Sequence, residues 1–427
     1  DGGTKYGTTP TGGTLSLTPP TFYERREGTW LLDQGNTPCD EHTLRAIHLP
    51  PFVKAVVEGV AVVMASYSSW RSTKLHRHRY LLTDVLKGEA GFRGVVISDW
   101  QGVEQLTEDA VMYPEVVAEA INSGIDIVML PRHYKRFVDA LTESVNKGMV
   151  SIARIDDAVQ RVLRLKQLMA GNTSPSLPPS VVGNSKHRYL ATVAAAASIV
   201  LLKNDGSVLP LQQQPKRPLV VHVAGAAAAN VGVMCGGWTL SWRGVTRATP
   251  LLVGTTLLQA LRRIDGVDVQ YNVNGKDAGG RAKCDVGIVT IGELPYAEGH
   301  GDRPNVDLAG AEAMRVRRVR ERCAQVIVVV VSGRPMALDA ATVAAADALV
   351  AAFLPGAEGG AALADLLFGK RPFTARLPFE WPSSSQSDAA RAAVRVAGAE
   401  ASEKQRTAAA AATAPLYALG HGIVTTV

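Results

Sequence analysis

Short apolar runs alternate with amphipathic stretches along this chain. In the first half, residues 60–66, 95–99 and 125–131 carry strand-like runs, and helical periodicity follows them at 80–87 and 137–147. Strand alternating with helix is the signature of βα units on a parallel sheet. Three such strands are legible before residue 170, whereas a closed (β/α)8 barrel of the TIM type has eight. The pattern therefore predicts the C-terminal part of such a barrel, cut within its fold.

Residues 171–185, GNTSPSLPPSVVGNS, are rich in Pro, Ser and Gly and predict a linker. Alternation then resumes. Strands are expected over 219–224, 267–273, 285–291, 326–332 and 348–354, with helices over 251–263, 309–322, 338–346 and 361–368. This predicts a second α/β domain, a sandwich with a mainly parallel sheet and helices on both faces. The expected organisation is an irregular start (1–42), a partial barrel (43–170), a linker (171–186), the sandwich (187–382), and a low-complexity Ala-rich tail with a C-terminal segment (383–427). Residues 5–35 and 383–414 lack a face able to repay the entropy of ordering, so both are expected to be dispensable and mobile.

A chain of 427 residues with 46% apolar content can bury more than one core. No apolar run approaches the roughly 20 residues that span a bilayer. The chain opens on Asp1 without a leader pattern, which reads as a fragment. The net charge of +6 draws on Arg315, Arg317, Arg318, Arg320 and Arg322. Without interleaved aromatics, that run reads as the solvated face of a helix, and nucleic acid is not an expected partner. GAEGG (356–360) lacks the GxGxxG spacing of a dinucleotide site. His76 and His78 form a lone His-x-His without a third ligand in view, so ordinary polar contacts are expected and no metal. Cys39, Cys235, Cys284 and Cys323 are too scattered for a disulfide scaffold. Asn172-Thr173-Ser174 is a glycosylation acceptor in the linker, compatible with secretion.

The chemistry concentrates in GFRGVVISDW (91–100), where an apolar strand runs straight into Asp99 and Trp100. A carboxylate at the C-terminal end of a parallel strand is either a catalytic group positioned by the sheet or the N-cap of the next helix. GFRGVVISDWQG resembles the nucleophile segment of glycoside hydrolase family 3, the β-glucosidases and exo-β-glucanases. The resemblance extends in order through VMASYSSW (63–70), GIDIVMLP (124–131), RIDDAVQRVLRLK (154–166), LLKNDGSVLPL (201–211), CGGWTLSW (235–242), GELPYAEGHGD (292–302), SGRP (332–335), FLPGAEGG (353–360) and LFGKRPFTARLPFEWP (367–382). CGGWTLSW and GELPYAEGHGD are most like the plant-type exo-β-glucanases.

This resemblance implies hydrolysis of terminal β-D-glucosidic bonds in β-glucans or β-glucoside oligosaccharides, with retention and without a cofactor. Retention needs a nucleophile and an acid/base about 5 Å apart. Asp99 matches the nucleophile and Glu298 the acid/base, with Glu293 the rival because it follows its strand directly. The two come from different domains, so the site is expected between them. Trp100 and Trp242, with Trp238 as alternative, are expected to grip a sugar unit, and Tyr67 to donate its hydroxyl to the nucleophile or simply to pack. Gln105 stands where relatives carry Arg, removing a cationic contact. Arg318 stands where plant relatives carry a second cysteine, which puts a bridge from Cys323 in doubt. Residues 5–35 exceed the short loop of relatives and read as an insert foreign to the family. The resemblance implies an extracellular or cell-wall location. Since the absent barrel half holds glucose-binding groups in relatives, this chain alone is expected to show little activity, the alternative function being an inactive fragment or weak carbohydrate binder. A β-N-acetylhexosaminidase of the same family is a further option, although its His–Asp loop pair is not seen.

Overall fold

The computed structural model describes residues 35–107, 111–170, 178–213, 216–276, 283–301, 305–383, 402–403 and 415–426. The expectations for residues 1–34, for Asn172 and for nearly all of the Ala-rich run fall outside them. The chain divides into two compact units, Asp1–Ser176 and Leu177–Val427.

In the first unit, β1 (Asn36–Thr37) leads through the turn α1 (Glu41–Thr43), capped by the Asp40 side chain, to α2 (Pro50–Val57). Strand β2 (Val62–Met64) then precedes the small strands β3 (Ser69–Trp70) and β4 (Thr73–Lys74), a π-helical segment (Tyr80–Glu89) and β5 (Val95–Ile97). β2 and β5 run parallel, with Val62 opposite Val95 and Met64 opposite Ile97. Helices α3 (Tyr113–Ser123), α4 (Tyr134–Asn146) and α5 (Ile152–Ala170) follow. Val96 is fully buried among Phe92, Val103, Val117, Ala120 and Ile125, so burial of β-branched side chains holds the strand that leads to Asp99.

The strand expected over 125–131 is not formed. It reduces to one parallel bridge, Ile97 to Ile127, because the Asp126 carboxylate itself takes the Val96 N–H at 2.9 Å. That carboxylate is fully buried and bound by Lys87 Nζ at 2.8 Å and Arg154 at 2.7 Å. Arg161 Nη1 completes the anchoring by donating to the carbonyls of Phe92 and Gly94. The motif RIDDAVQRVLRLK on α5 thus secures the N-terminal end of β5, the strand that leads to Asp99, through its arginines.

The second unit begins earlier than expected. Asn184 caps α6 (Ser185–Ser198), inside the stretch assigned to the linker. Next come β6 (Val200–Asn204), β7 (Leu219–Ala224), α7 (Val231–Cys235), α8 (Leu257–Leu261), β8 (Val267–Tyr271) and β9 (Cys284–Gly292). The series closes with α9 (Gly310–Arg320), β10 (Cys323–Val331), α10 (Ala340–Ala345), β11 (Ala348–Ala351) and α11 (Gly359–Leu367).

The sheet order is β6-β11-β10-β9-β7-β8, parallel except for β6, which pairs antiparallel with β11. Alternate residues of β10 enter opposite cores. Ile327, Val329 and Val331 face α6, α8 and α11, whereas Val326, Val328 and Val330 face α9. The five expected strands all form, and helices cover both faces. The C-terminal segment, grouped with the Ala-rich tail in the expected organisation, docks on this sheet: Ile423 N–H reaches the Leu201 carbonyl at 2.9 Å and Trp381 pairs with Tyr417.

Strand register also corrects the reading of the cysteines. Cys284 and Cys323 are direct partners on neighbouring parallel strands, and they form a disulfide with Cα atoms 4.6 Å apart. Sequence spacing alone leaves Cys323 without a mate. The arginines of α9 have local work: Arg320 pairs with Asp347 at 2.6 Å, and Arg315 pairs with Glu312.

Candidate active site

Asp99 is the second residue beyond β5, half-buried, on main chain that is clamped at successive peptides. Its N–H donates to the Nε2 atom of His76 at 2.9 Å. Ser98 Oγ donates to the Asp99 carbonyl at 2.9 Å while accepting the Met129 N–H at 2.7 Å. The Trp100 N–H returns to Asp99 Oδ1 at 2.7 Å. Tyr67, at the loop after β2, donates its hydroxyl to the Trp100 carbonyl, the peptide following the carboxylate. Trp100 itself is exposed.

His76 is the residue that sequence reasoning undervalued. Its ring is only 1% exposed, and burial, together with the nearby positive charge of Lys74, holds its pKa down at about 4. It is thus neutral at ordinary pH, with Nε2 as acceptor. Burial also lowers the pKa of Lys74, whose ammonium donates to the Tyr67 carbonyl at 2.6 Å. His78 lies against the Trp70 ring, with centroids 5.4 Å apart, and accepts the Leu81 N–H at 3.3 Å. Among the described residues, no group of three or more His, Cys, Asp or Glu side chains could hold a metal ion. None of the described helices is long and apolar enough to cross a membrane.

In the second unit, the loop after β9 carries both acidic candidates, which sit in different environments. Glu293 is nearly buried and accepts from Arg334 Nε at 3.0 Å and from the Tyr296 hydroxyl at 3.1 Å. Glu298 is exposed, at the head of a 3-10 turn, Glu298–Gly301, with a left-handed φ of 47°. A non-glycine residue in that region is uncommon, and such backbone clusters at functional sites.

The segment 235–244 packs directly on this loop. A Cβ at Gly237 would stand 2.1 Å from the Tyr296 carbonyl oxygen, so only glycine allows the approach. Half-buried Trp242 meets the His300 ring edge-on at 4.9 Å, and Arg243 reaches His300 Nε2 at 3.1 Å. Trp238 is exposed, its N–H bonded to the Trp242 carbonyl at 2.9 Å. The fold therefore gathers Trp238, Trp242, Glu298 and Glu293 on two contacting loops of one unit, and Tyr67, Asp99 and Trp100 on two contacting loops of the other. Sequence reasoning missed Arg334, although it lies in the quoted motif SGRP, and gave His76 only ordinary polar contacts.

Comparison with known proteins finds relatives of both units. Residues 31–165 match the profile described as the glycosyl hydrolase family 3 N terminal domain, and residues 199–425 match that of the family's C-terminal domain. A lysosomal beta glucosidase of Dictyostelium discoideum is 29% identical over 391 residues, covering 86% of this chain and 46% of that protein. Probable beta-glucosidase L of Aspergillus terreus is 31% identical, covering 80% of this chain and 49% of its own length. The chain spans about half the length of the curated relatives it matches. Among solved structures, a point mutant of the exo-1,3/1,4-beta-glucanase of a Pseudoalteromonas species superposes with a TM-score of 0.75 at 33% identity, over 92% of this chain and 62% of the other. With one profile matching each unit, and the C-terminal one alone spanning more than half of its residues, the chain belongs to glycosyl hydrolase family 3.

Proposed function

We propose that these residues serve a β-glucosidase or exo-β-glucanase that removes terminal glucose from β-glucans or β-glucosides with retention of configuration. The observation that carries the reading is the fixed main chain of Asp99, held by His76, Ser98 and, one peptide on, Tyr67. A nucleophile needs this fixity because each degree of lost freedom is a cost removed from the transition state. The names and activities of the relatives, β-glucosidases and an exo-1,3/1,4-β-glucanase, support the substrate class.

In the proposed cycle, Asp99 attacks the anomeric carbon as Glu298 protonates the departing oxygen. The covalent glycosyl-enzyme is then opened by water that Glu298 deprotonates. Exposed Glu298 suits a group that must exchange a proton with solvent twice in each turnover, whereas Glu293 is nearly buried. Trp100 and Trp242 offer faces for sugar C–H groups. The short parallel pair of the first unit, with its following helices, fits part of a (β/α)8 barrel, and the second unit fits the α/β sandwich of such enzymes. The Cys284–Cys323 disulfide supports maturation in an oxidising compartment, hence an extracellular or luminal place. One relative is named as periplasmic and another as lysosomal.

The test uses the chain completed with the preceding barrel residues of the Pseudoalteromonas exo-β-glucanase and assayed on laminaribiose, cellobiose and an aryl β-glucoside. Asp99→Asn should lower turnover by about a thousandfold or more. A variant that keeps most of its turnover would remove Asp99 from the nucleophile role.

A further inference from the structure

We infer that Arg334 is a positioning residue: it latches the loop 293–301 into the shape that presents Glu298. This rests on Glu298 being the acid/base only for its catalytic consequence, since the latch itself is a matter of loop geometry. Arg334 follows β10, not the loop, and its guanidinium reaches both ends of the loop at once. Nε donates to Glu293 Oε2 and to the Tyr296 hydroxyl, each at 3.0 Å, while Nη2 donates to the Gly301 carbonyl. The cation also lies 4.6 Å from the centroid of the Tyr296 ring. One planar fork thus bridges residues 293 and 301, with Glu298 on the span between them.

The surroundings leave little room for another arrangement. A Cβ at Gly301 would come within 2.3 Å of the Tyr296 ring, and one at Gly333 within 2.8 Å of its hydroxyl. Burial and the adjacent Glu293 carboxylate raise the Tyr296 pKa, so the phenol stays protonated and keeps donating to Glu293. The left-handed φ of 47° at Glu298 needs such over-determination, because an unclamped loop would relax that residue toward ordinary backbone. Lysine at 334 could keep a charge beside Glu293, but a single ammonium cannot span to the Gly301 carbonyl.

Hydrogen exchange on the 427-residue chain tests this directly, with β9 and β10 as internal references. In Arg334→Met, the amides of residues 294 and 296–301 should exchange about tenfold faster or more while both strands keep wild-type protection. Arg334→Lys should release chiefly the Gly301 end. Unchanged loop protection would overturn the latch, and equal deprotection of the strands would reduce Arg334 to a general stabiliser. Glu298→Gln should leave loop exchange as in wild type. In the completed enzyme, Arg334→Met should slow poor leaving groups more than activated ones, in the same direction as Glu298→Gln. Uniform slowing by Arg334→Met alone would sever the latch from the acid role, whereas uniform slowing by Glu298→Gln would move the acid elsewhere and leave the latch to stand or fall on exchange.

Discussion

The imidazole of His76 accepts the main-chain N–H of Asp99 at 2.9 Å from a position that is almost fully buried. This makes the segment that carries Asp99 depend on a neutral histidine. Its pKa falls from an ordinary 6.5 to about 4 in the fold, first through burial and then through Lys74. Between those values the unfolded chain binds more protons, so the contribution is complete above pH 6.5 and is lost as pH falls toward 4. About 3 kcal/mol is at stake. Denaturant unfolding of the first unit at pH 7 and pH 4.5 should show this loss in wild type and a flatter response in His76→Gln. Equal slopes would place the acid sensitivity elsewhere.

Gly102 is packed on the same ring. A Cβ there would sit 2.2 Å from His76 Nε2, the atom that accepts from Asp99. Gly102→Ala should therefore destabilise the first unit by about 1–3 kcal/mol, and in the completed enzyme it should lower kcat. A fully stable, fully active variant would show that the ring can move without consequence.

The buried group around Asp126 allows a contrast of partners. Asp126→Asn removes the counter-charge of both Lys87 and Arg154 and should cost about 3–5 kcal/mol. Lys87→Met should cost clearly less, because Arg154 still neutralises the carboxylate. Urea midpoints of the two variants decide it. The reverse order would mean that Lys87 is the essential partner.

Much of this is legible in the sequence because it follows from periodicity. The buried strands of the second unit, such as Val326 to Val331, are near-continuous apolar runs, and SDW and GELPYAEGHGD mark the two acidic loops. What stays hidden depends on contacts between distant residues. The run at 125–131 looks like a strand, but the Asp126 side chain displaces a ladder bond. The Cys284–Cys323 pairing depends on strand register, which spacing does not encode. The parts played by His76 and Arg334 require knowing which backbone groups face them.

The disulfide should be measurable on the purified chain. It closes a loop with a sequence separation of 39 residues, for which chain entropy predicts a contribution of about 4 kcal/mol. Intact mass should rise by two hydrogens on reduction, and Cys284→Ser should lower the unfolding midpoint of the second unit. A mass unaltered by reductant would show that the thiols are free.

In the proposed cycle Asp99 forms the covalent bond to glucose. A 2-deoxy-2-fluoro-β-D-glucosyl fluoride slows both steps but leaves a good departing group, so the glycosyl-enzyme accumulates. Peptide mass mapping of the inactivated, completed enzyme should place one fluoroglucosyl adduct on Asp99 and none in Asp99→Asn. An adduct on another carboxylate, or inactivation without any adduct, would remove Asp99 from the nucleophile role.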